Sequence, residues 1–388
     1  MQTQLKDAVI VAYGRTACCK AGKGAFAQVH PVEYGAQALL GVLERVPGLR
    51  PEEIGDVIMG CAMPYGVQGA NMARLIVQRA GLPDSVTAPT VNRYCSSGLQ
   101  TIATAANAIR CGEEAIMVAG GVESMSMVPM LIGVEDADPW LREHRPEVYT
   151  IMGITAENVA KRWNISRADM DAMAAESHRR AAQAQVQGCF DGQIIPVQIP
   201  GADGQAVTVI RDEGIRPGTT AEKLAELKPC FLEDGLVTAA TSSQRTDGAG
   251  FVVLMSAERA QAMGLKPLAR FVTFATGGVP AEVMGVGPIE AVPKALKKAG
   301  LTLEEMDTIE LNEAFASQAL ACIRTLGMDP ARVNPWGGAM ALGHPLGATG
   351  AILTCKALSY LEHTGGRYGM VTMCIGGGMG AAGIIERL

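Results

Sequence analysis

The chain runs through the same series of features twice. Pro51-Glu52-Glu53-Ile54-Gly55-Asp56-Val57-Ile58-Met59-Gly60 resembles Leu303-Glu304-Glu305-Met306-Asp307-Thr308-Ile309-Glu310-Leu311-Asn312, an acidic turn leading into an apolar run in both cases. Val91-Asn92 then leads toward Cys95, and Val333-Asn334 leads into Pro335-Trp336-Gly337-Gly338, each with a helix-like stretch after it. Strand-like runs follow at Ala115 to Gly121 and at Gly369 to Ile375. Four matched features in one order argue for duplication. Strands alternating with helices at this spacing predict two parallel-sheet α/β units. A length of 388 residues, more than one core usually fills, agrees with that.

The halves differ at one point. In the second, Gly376-Gly377-Gly378 leads at once into Gly380 to Ile385; in the first, the comparable segment Gly248 to Leu254 comes only after a long excursion. An insertion is therefore predicted, with helical stretches at Thr155 to Trp163 and Arg167 to Gln187. It divides the chain into residues 1–119 plus 247–262, an inserted module at 120–246, and residues 263–388. So long an excursion from a sheet edge usually serves as a lid or binding module.

Composition removes several classes of function. A net charge of −6 argues against a nucleic-acid binder, which needs a basic surface to neutralise phosphates. No run approaches the roughly 20 apolar residues of a membrane span. Met1 to Asp7 lacks the pattern of a signal peptide, and Glu386-Arg387-Leu388 is not a Ser-Lys-Leu address, so a cytoplasmic protein is expected. The ten cysteines are scattered, with no Cys-x-x-Cys spacing, which fits buried apolar thiols better than disulfides or a metal site.

Two thiols and one imidazole stand apart. Leu99, Ile102, Ala103, Ala106 and Ile109 recur at helical spacing, with Gly112 placed for a left-handed cap, so a helix begins near Ser96. Cys95 then falls at its N-terminus, where unpaired amides and the macrodipole are expected to lower a thiol pKa. A thiol packed under the helix is the alternative. His344 lies in Gly343-His344-Pro345-Leu346-Gly347, among small residues that allow close approach to its ring, although a structural histidine would read the same way. Cys374 ends a buried strand at Gly376-Gly377-Gly378, whose amides suit an anion-binding turn; a core cysteine beside a turn is the plainer reading. Asn312-Glu313 ends a strand of the second half, where open α/β sheets place ligands, with helix capping as the rival role for Asn312.

Taken together these residues resemble the thiolase family over essentially the whole chain. The resemblance rests on Asn92-Arg93-Tyr94-Cys95-Ser96-Ser97-Gly98, Gly121-Val122-Glu123-Ser124-Met125-Ser126, Asn312-Glu313-Ala314-Phe315-Ala316, Gly338 to Gly347, and Cys374-Ile375-Gly376-Gly377-Gly378-Met379-Gly380. It implies duplicated βαβαβαββ halves in a five-layered αβαβα fold, with a loop domain inserted into the first. It also implies a Claisen-type exchange. Cys95 would attack a 3-ketoacyl-CoA, and His344 would take the thiol proton. Asn312 and its water would join His344 in stabilising the enolate, and Cys374 would protonate the departing carbanion and then deprotonate CoA. The amides of Cys95 and Gly376 would form a second oxyanion hole.

For the loop domain the resemblance implies CoA contacts at Arg216, Thr219 and Ser243, and an acyl pocket around Met152, Phe231, Ala314 and Phe315. Thr241 and Arg245 depart from the family's usual Ala-Gly-Asn loop, and Ile151 stands where many biosynthetic members carry histidine. The first departure bears on the CoA contacts; Ile151, together with Asp212-Glu213-Gly214-Ile215-Arg216-Pro217 and Ser242-Ser243-Gln244, favours a degradative 3-ketoacyl-CoA thiolase over an acetyl-CoA C-acetyltransferase that forms acetoacetyl-CoA. A non-catalytic acyl-CoA or lipid carrier on the same fold is a third reading. Coenzyme A would be a substrate, no cofactor or metal is expected, and the family's habit is a homodimer or homotetramer.

Overall fold

The computed structural model describes residues 7–130, 136–201 and 204–388; Met1 to Lys6, read above for targeting, lies outside them. In chain order these residues form β1 (Ala8–Arg15), β2 (Cys19–Lys20), α1 (Pro31–Leu43), β3 (Asp56–Gly60), α2 (Met72–Arg79), β4 (Thr90–Val91), α3 (Ser97–Cys111) and β5 (Ile116–Glu123). Next come α4 (Pro139–His144), α5 (Met152–Arg162), α6 (Arg167–Val186), β6 (Val197–Pro200), β7 (Ala206–Val209) and α7 (Ala221–Ala225). Then follow β8 (Thr246–Ser256), α8 (Ala257–Ala262), β9 (Ala269–Gly278), α9 (Gly287–Ala299), β10 (Thr308–Leu311), α10 (Ala316–Leu326), α11 (Ala339–Leu342), α12 (Leu346–Thr364), β11 (Tyr368–Ile375) and β12 (Met379–Arg387).

The main sheet runs β10-β11-β12-β9-β1-β8-β5-β3-β4, with β2 paired to β8. Its middle is a short antiparallel junction, Val9 with Arg270 and Ile10 with Ala269. Outward from that junction the order is the same twice: β1-β8-β5-β3-β4 on one side and β9-β12-β11-β10 on the other. Val333 bridges Ile309 in parallel where β4 pairs with β3. The duplication read from sequence is thus present in the hydrogen-bond ladder. The expected parallel sheets are instead mixed. β3 pairs in parallel with β4 and β5, and β10 with β11, but β8 and β12 run antiparallel to their neighbours. In the second half the cause is local: a turn of three glycines between β11 and β12, with Gly377 and Gly378 at φ of 78° and 85°, returns the chain directly, which only an antiparallel pair permits. In the first half β8 takes the same place beside β5, although the inserted stretch precedes it.

Both faces of each half-sheet are covered, and the side-chain alternation shows by what. On β8, Phe251, Val253 and Met255 join the core beneath α1 and α2, whereas Val252 and Leu254 join the core containing α3 and α12. Val371, Met373 and Ile375 of β11 reach that same central core from the other side, while Met370 faces the core of α9 and α10. A helix pair, a sheet, the α3–α12 layer, a second sheet and a second helix pair make five layers, and apolar runs without polar alternation are what doubly covered strands require. The stretch between β5 and β8 carries α4 to α7 and the β6–β7 hairpin.

Candidate active site

Cys95 sits in a single 3₁₀ turn, Tyr94–Ser96, just before α3. The chain reaches it through Tyr94 at φ 45°, a left-handed conformation that a bulky aromatic residue adopts only under constraint. The constraints are hydrogen bonds from neighbouring side chains. Asn92 Oδ1 accepts from the Tyr94 amide (2.8 Å), Ser97 Oγ donates to the Tyr94 carbonyl (2.7 Å), and the Arg93 amide donates to Ser97 Oγ (2.9 Å). The helix ends as expected, at Gly112 with φ 76°. Cys95 is half-buried and packs among Ala62, Met125 and Leu346.

Leu346 brings the second half of the molecule to that thiol. It begins α12, and its amide donates to the carbonyl of His344 (2.9 Å). The imidazole is buried. Its Nδ1 lies 2.6 Å from Thr349 Oγ1, and its Nε2 lies 3.3 Å from Asn312 Nδ2. Because the amide donates to Nε2, the ring proton sits on Nδ1 and is given to Thr349. The Asn312 carbonyl oxygen is buried with no protein partner, an orphaned acceptor beside the ring. Asn312 caps no helix, since α10 starts at Ala316 with Phe315 before it.

The third group, Cys374, is buried in β11, and the charge of Cys95 reaches it. Two amides converge on the Cys95 sulfur, its own and that of Gly376 in the turn after β11. The expected depression of the Cys95 pKa is not what the site gives. Burial pushes the thiol up to about 11, the Glu123 carboxylate adds to this, and the two amides only partly oppose it. Desolvation exceeds the helix-terminus effect because the thiol packs among Ala62, Met125 and Leu346. Cys374 is raised as well, by burial first and then by Cys95 and Cys322. Burial drives His344 the other way, down to about 4. The resting site therefore holds two neutral thiols and a neutral imidazole at pH 7, one acceptor and two donors of protons.

These groups meet because two helices cross at their first turns. A Cβ on Gly98 of α3 would lie 2.9 Å from the Gly347 carbonyl, and one on Gly347 would lie 2.6 Å from the Ala62 amide. Only glycine allows backbone to touch backbone there, which puts the start of α3 against the start of α12.

The other expected residues fall into two groups. Met152, Phe231, Ala314 and Phe315 share one apolar cluster with Cys374 and Met340, with Phe231 and Phe315 edge to face at 6.1 Å. Ser243 is tied to this cluster by its amide, which donates to the Ala314 carbonyl (2.9 Å), and the next residue, Gln244, accepts from the His344 amide through its carbonyl (3.0 Å). Arg216 and Thr219 lie farther out, on a loop where Thr219 Oγ1 donates to the Arg216 carbonyl (2.8 Å) and the arginine is exposed. That loop is anchored at its root: Arg15 makes a two-pronged buried pair with Asp212 (2.7 and 2.9 Å), and Glu213 accepts from the Lys20 and Ala25 amides (both 2.8 Å). The departure at Arg245 has a structural account: its Nη2 donates to the Met125 carbonyl (2.9 Å), tying the segment after β5 to the start of β8. Thr241 is buried and bonded within its own turn to Thr238.

Sequence reading missed two partners. Thr349 carried no motif signal, although a hydroxyl five residues after a histidine at a helix start is in reach of it. His178 on α6, whose Nδ1 accepts from the Arg216 amide (3.1 Å), could be found only once α6 was placed beside the 211–220 loop.

Known proteins match this chain over its full length. The family model for the thiolase N-terminal domain matches residues 8–258, and that for the thiolase C-terminal domain residues 265–387. The 3-ketoacyl-CoA thiolase of Bacillus subtilis (strain 168) is 51% identical over 390 residues, covering 98% of this chain and 100% of that protein. The peroxisomal 3-ketoacyl-CoA thiolase of Homo sapiens is 46% identical over 391 residues, covering 99% and 92%. Among solved structures, the acetyl-CoA acetyltransferase of Bacillus anthracis superposes with a TM-score of 0.93 at 39% identity, covering 100% of both chains. The dimeric peroxisomal thiolase of Saccharomyces cerevisiae superposes at 0.92 and 40% identity, covering 99% and 98%.

Proposed function

The chain belongs to the thiolase family of acyltransferases, and we propose that it is a 3-ketoacyl-CoA thiolase, cleaving its substrate with CoA into acetyl-CoA and a shortened acyl-CoA. What supports the mechanism is that Gly376 and Cys374 lie within reach of Cys95, and that the turn carrying His344, the partner of Asn312, is bonded to Leu346, which packs against Cys95.

The steps follow from the protonation states. His344, neutral with its proton on Nδ1, takes the Cys95 proton on Nε2 in exchange for the Asn312 hydrogen bond as the sulfur attacks the 3-keto carbon. A thiol held at about 11 is unreactive until that transfer, which confines nucleophilicity to the moment of attack. Carbon–carbon cleavage leaves an acyl-enzyme and a thioester enolate. The imidazolium of His344 and a water held by the orphaned Asn312 oxygen stabilise that charge, and Cys374 protonates the carbon to release acetyl-CoA. The Cys374 thiolate then deprotonates CoA, whose thiolate attacks the acyl-enzyme while the Cys95 and Gly376 amides hold the developing oxyanion; the Cys95 S–C bond breaks, and the Cys95 thiolate takes its proton back from the His344 imidazolium. Arg216, Thr219 and Ser243 would bind CoA, and Met152, Phe231, Ala314 and Phe315 the acyl chain.

An acetyl-CoA C-acetyltransferase is the second reading, supported by the fold likeness to the Bacillus anthracis protein. It would use the same reacting groups and differ only in the acyl pocket. Thiolysis rates with C4 and with C8–C16 3-ketoacyl-CoAs separate the two. The proposal expects turnover across the longer chains; activity confined to C4 would replace it with the second reading, and none with any chain would remove both.

A homodimer is proposed as well, paired along the outer edge of β4, which ends the sheet directly before Asn92 to Cys95. Sedimentation distinguishes it from a tetramer. Among the described residues no helix is long and apolar enough to cross a membrane. A cytoplasmic location is proposed on the free state of all ten cysteines, most of them buried as apolar packing groups.

A further inference from the structure

Glu123, the last residue of β5, ends in a place where a carboxylate needs a strong reason to be. It is 1% exposed, and its two oxygens take donors from three separate stretches of chain. Oε2 accepts from the Ala62 amide (2.7 Å) and from the Gly347 amide (2.8 Å). Oε1 accepts from Gln68 Nε2 (2.7 Å) and the Met63 amide (3.2 Å), with Cys61 Sγ at 3.8 Å. Gln68 is itself fixed, its own side-chain oxygen accepting from the Ser124 amide, and Tyr34 donates to the Glu123 carbonyl at 2.8 Å.

Two of these donors matter beyond their own bonds. Ala62 is one of the residues against which Cys95 packs. Gly347 follows Leu346, another of them, and ends the Gly343 to Gly347 turn that carries His344. One carboxylate oxygen thus joins the wall of the nucleophile, in the first half of the chain, to the turn of the base, in the second. The charge also lies at the amino end of α12, where the helix dipole favours an anion. A neutral group of the same shape would leave two amide donors facing an amide N–H₂ at one oxygen position or the other.

We propose that Glu123 is a positioning residue for the reaction: its ionised carboxylate clamps the His344 turn to the Cys61–Met63 backbone and so sets how Cys95 and His344 face each other. The proposal rests on the thiolase reading for the roles of those two groups, but not for the clamp. Burial drives the Glu123 pKa up and its donors pull it back, and the other titratable groups around it are Cys61, Cys95, Tyr34, Tyr65 and, beyond Ser124, Asp247.

Two variants act on opposite ends of the clamp. Glu123→Gln removes the charge and half the acceptors. Gly347→Ala leaves the charge but puts a Cβ 2.6 Å from the Ala62 amide and 2.8 Å from Glu123 Oε2, prising the turn away. Each is assayed for thiolysis and, separately, for the rate of Cys95 alkylation by iodoacetamide across pH, which requires no thioester chemistry. The clamp predicts that kcat falls roughly 100-fold in both, the loss typical of a reacting group displaced by about 1 Å, with KM for CoA within about threefold of wild type. It also predicts a split in Glu123→Gln: slower turnover together with faster alkylation at neutral pH, because the negative charge opposing the thiolate is gone. Gly347→Ala should keep the wild-type alkylation profile. A role in stability alone would lower Tm and leave kcat and the alkylation profile of the folded enzyme unchanged, and that result in either variant overturns the proposal. Should Glu123→Gln fail to fold, Gly347→Ala decides the question. Wild-type enzyme that alkylates at Cys95 but turns over no 3-ketoacyl-CoA would remove the thiolase reading and leave the alkylation comparison standing.

Discussion

Thr349 Oγ1 lies 2.6 Å from Nδ1 of His344, one turn into the helix that the histidine's own loop begins. The hydroxyl is buried and accepts the Nδ1 proton in the arrangement that the Asn312 amide, donating to Nε2, selects. Replacing Thr349 by Val keeps the shape and removes the acceptor, leaving a buried N–H unpaired at about 1–3 kcal/mol. The expected result is a 10- to 100-fold fall in kcat with KM little changed and an altered acid limb of the pH–rate profile. Thr349→Ser should recover most of the rate. A valine variant with wild-type kcat would show that the ring is oriented by Asn312 and packing alone.

Acid sensitivity has a defined window. Burial lowers both His344 and His178 to about 4, in the second case with Arg216 and Lys20 contributing, whereas the unfolded chain takes those protons near 6.5. The unfolded state therefore binds more protons between those values. The stabilisation is complete above about pH 6.5, declines as pH falls toward 4, and changes no further below that. Each histidine contributes a slope of about 1.4 kcal/mol per pH unit inside the window. His178→Gln isolates one of them: relative to wild type it should lose less stability between pH 6.5 and 4.5 in urea unfolding. Parallel curves for the two proteins would show that His178 already carries its proton in the fold.

Much of this was legible in the chain, and what was not has physical reasons. The duplication showed because each half repeats a local pattern, an acidic turn before a strand and a helix after an Asn, and local patterns survive in sequence. The α3 boundaries followed from the spacing of Leu99, Ile102, Ala106 and Ile109, and from Gly112. Strand direction did not follow, because β8 and β12 look like any apolar run and only the ladder reveals which way they face. The Cys95 pKa was misread for a related reason. The helix end is a local property, but the burial that dominates comes from residues distant in the chain, Ala62, Met125 and Leu346. His178 and Thr349 act on Arg216 and His344 through contacts that no spacing encodes, and Glu123 stood in a recognisable motif whose work is visible only when residues 61–63 and 347 meet.

His178 gives a handle on CoA without touching the reacting groups. Its neutral Nδ1 accepts the Arg216 amide, and Lys20 and Arg216 around it disfavour the charged ring. If that bond holds the loop in place for the nucleotide end of CoA, His178→Ala should raise KM for CoA about 5- to 10-fold and leave kcat within about twofold, while His178→Gln, which offers an oxygen acceptor, recovers part of the affinity. An equal loss in kcat would instead place the disturbance at the reacting groups, through Gly214, whose carbonyl accepts from Gln244 Nε2 at 2.8 Å.

The two thiols are distinguishable because they act in different half-reactions. Cys95→Ala removes one sulfur from a partly buried residue just before α3, so stability should change by less than about 1 kcal/mol. Thiolysis should fall by on the order of 10⁴-fold or more, with no acylated protein seen by mass spectrometry. Cys374→Ala leaves the nucleophile, and Cys95 should still be alkylated. What it should lose is the exchange of the acetyl-CoA methyl protons with deuterium from solvent, since the mechanism assigns that proton to the Cys374 sulfur. Exchange at the wild-type rate in Cys374→Ala would assign that proton to another group, and thiolysis persisting in Cys95→Ala would end the acyl-enzyme route altogether.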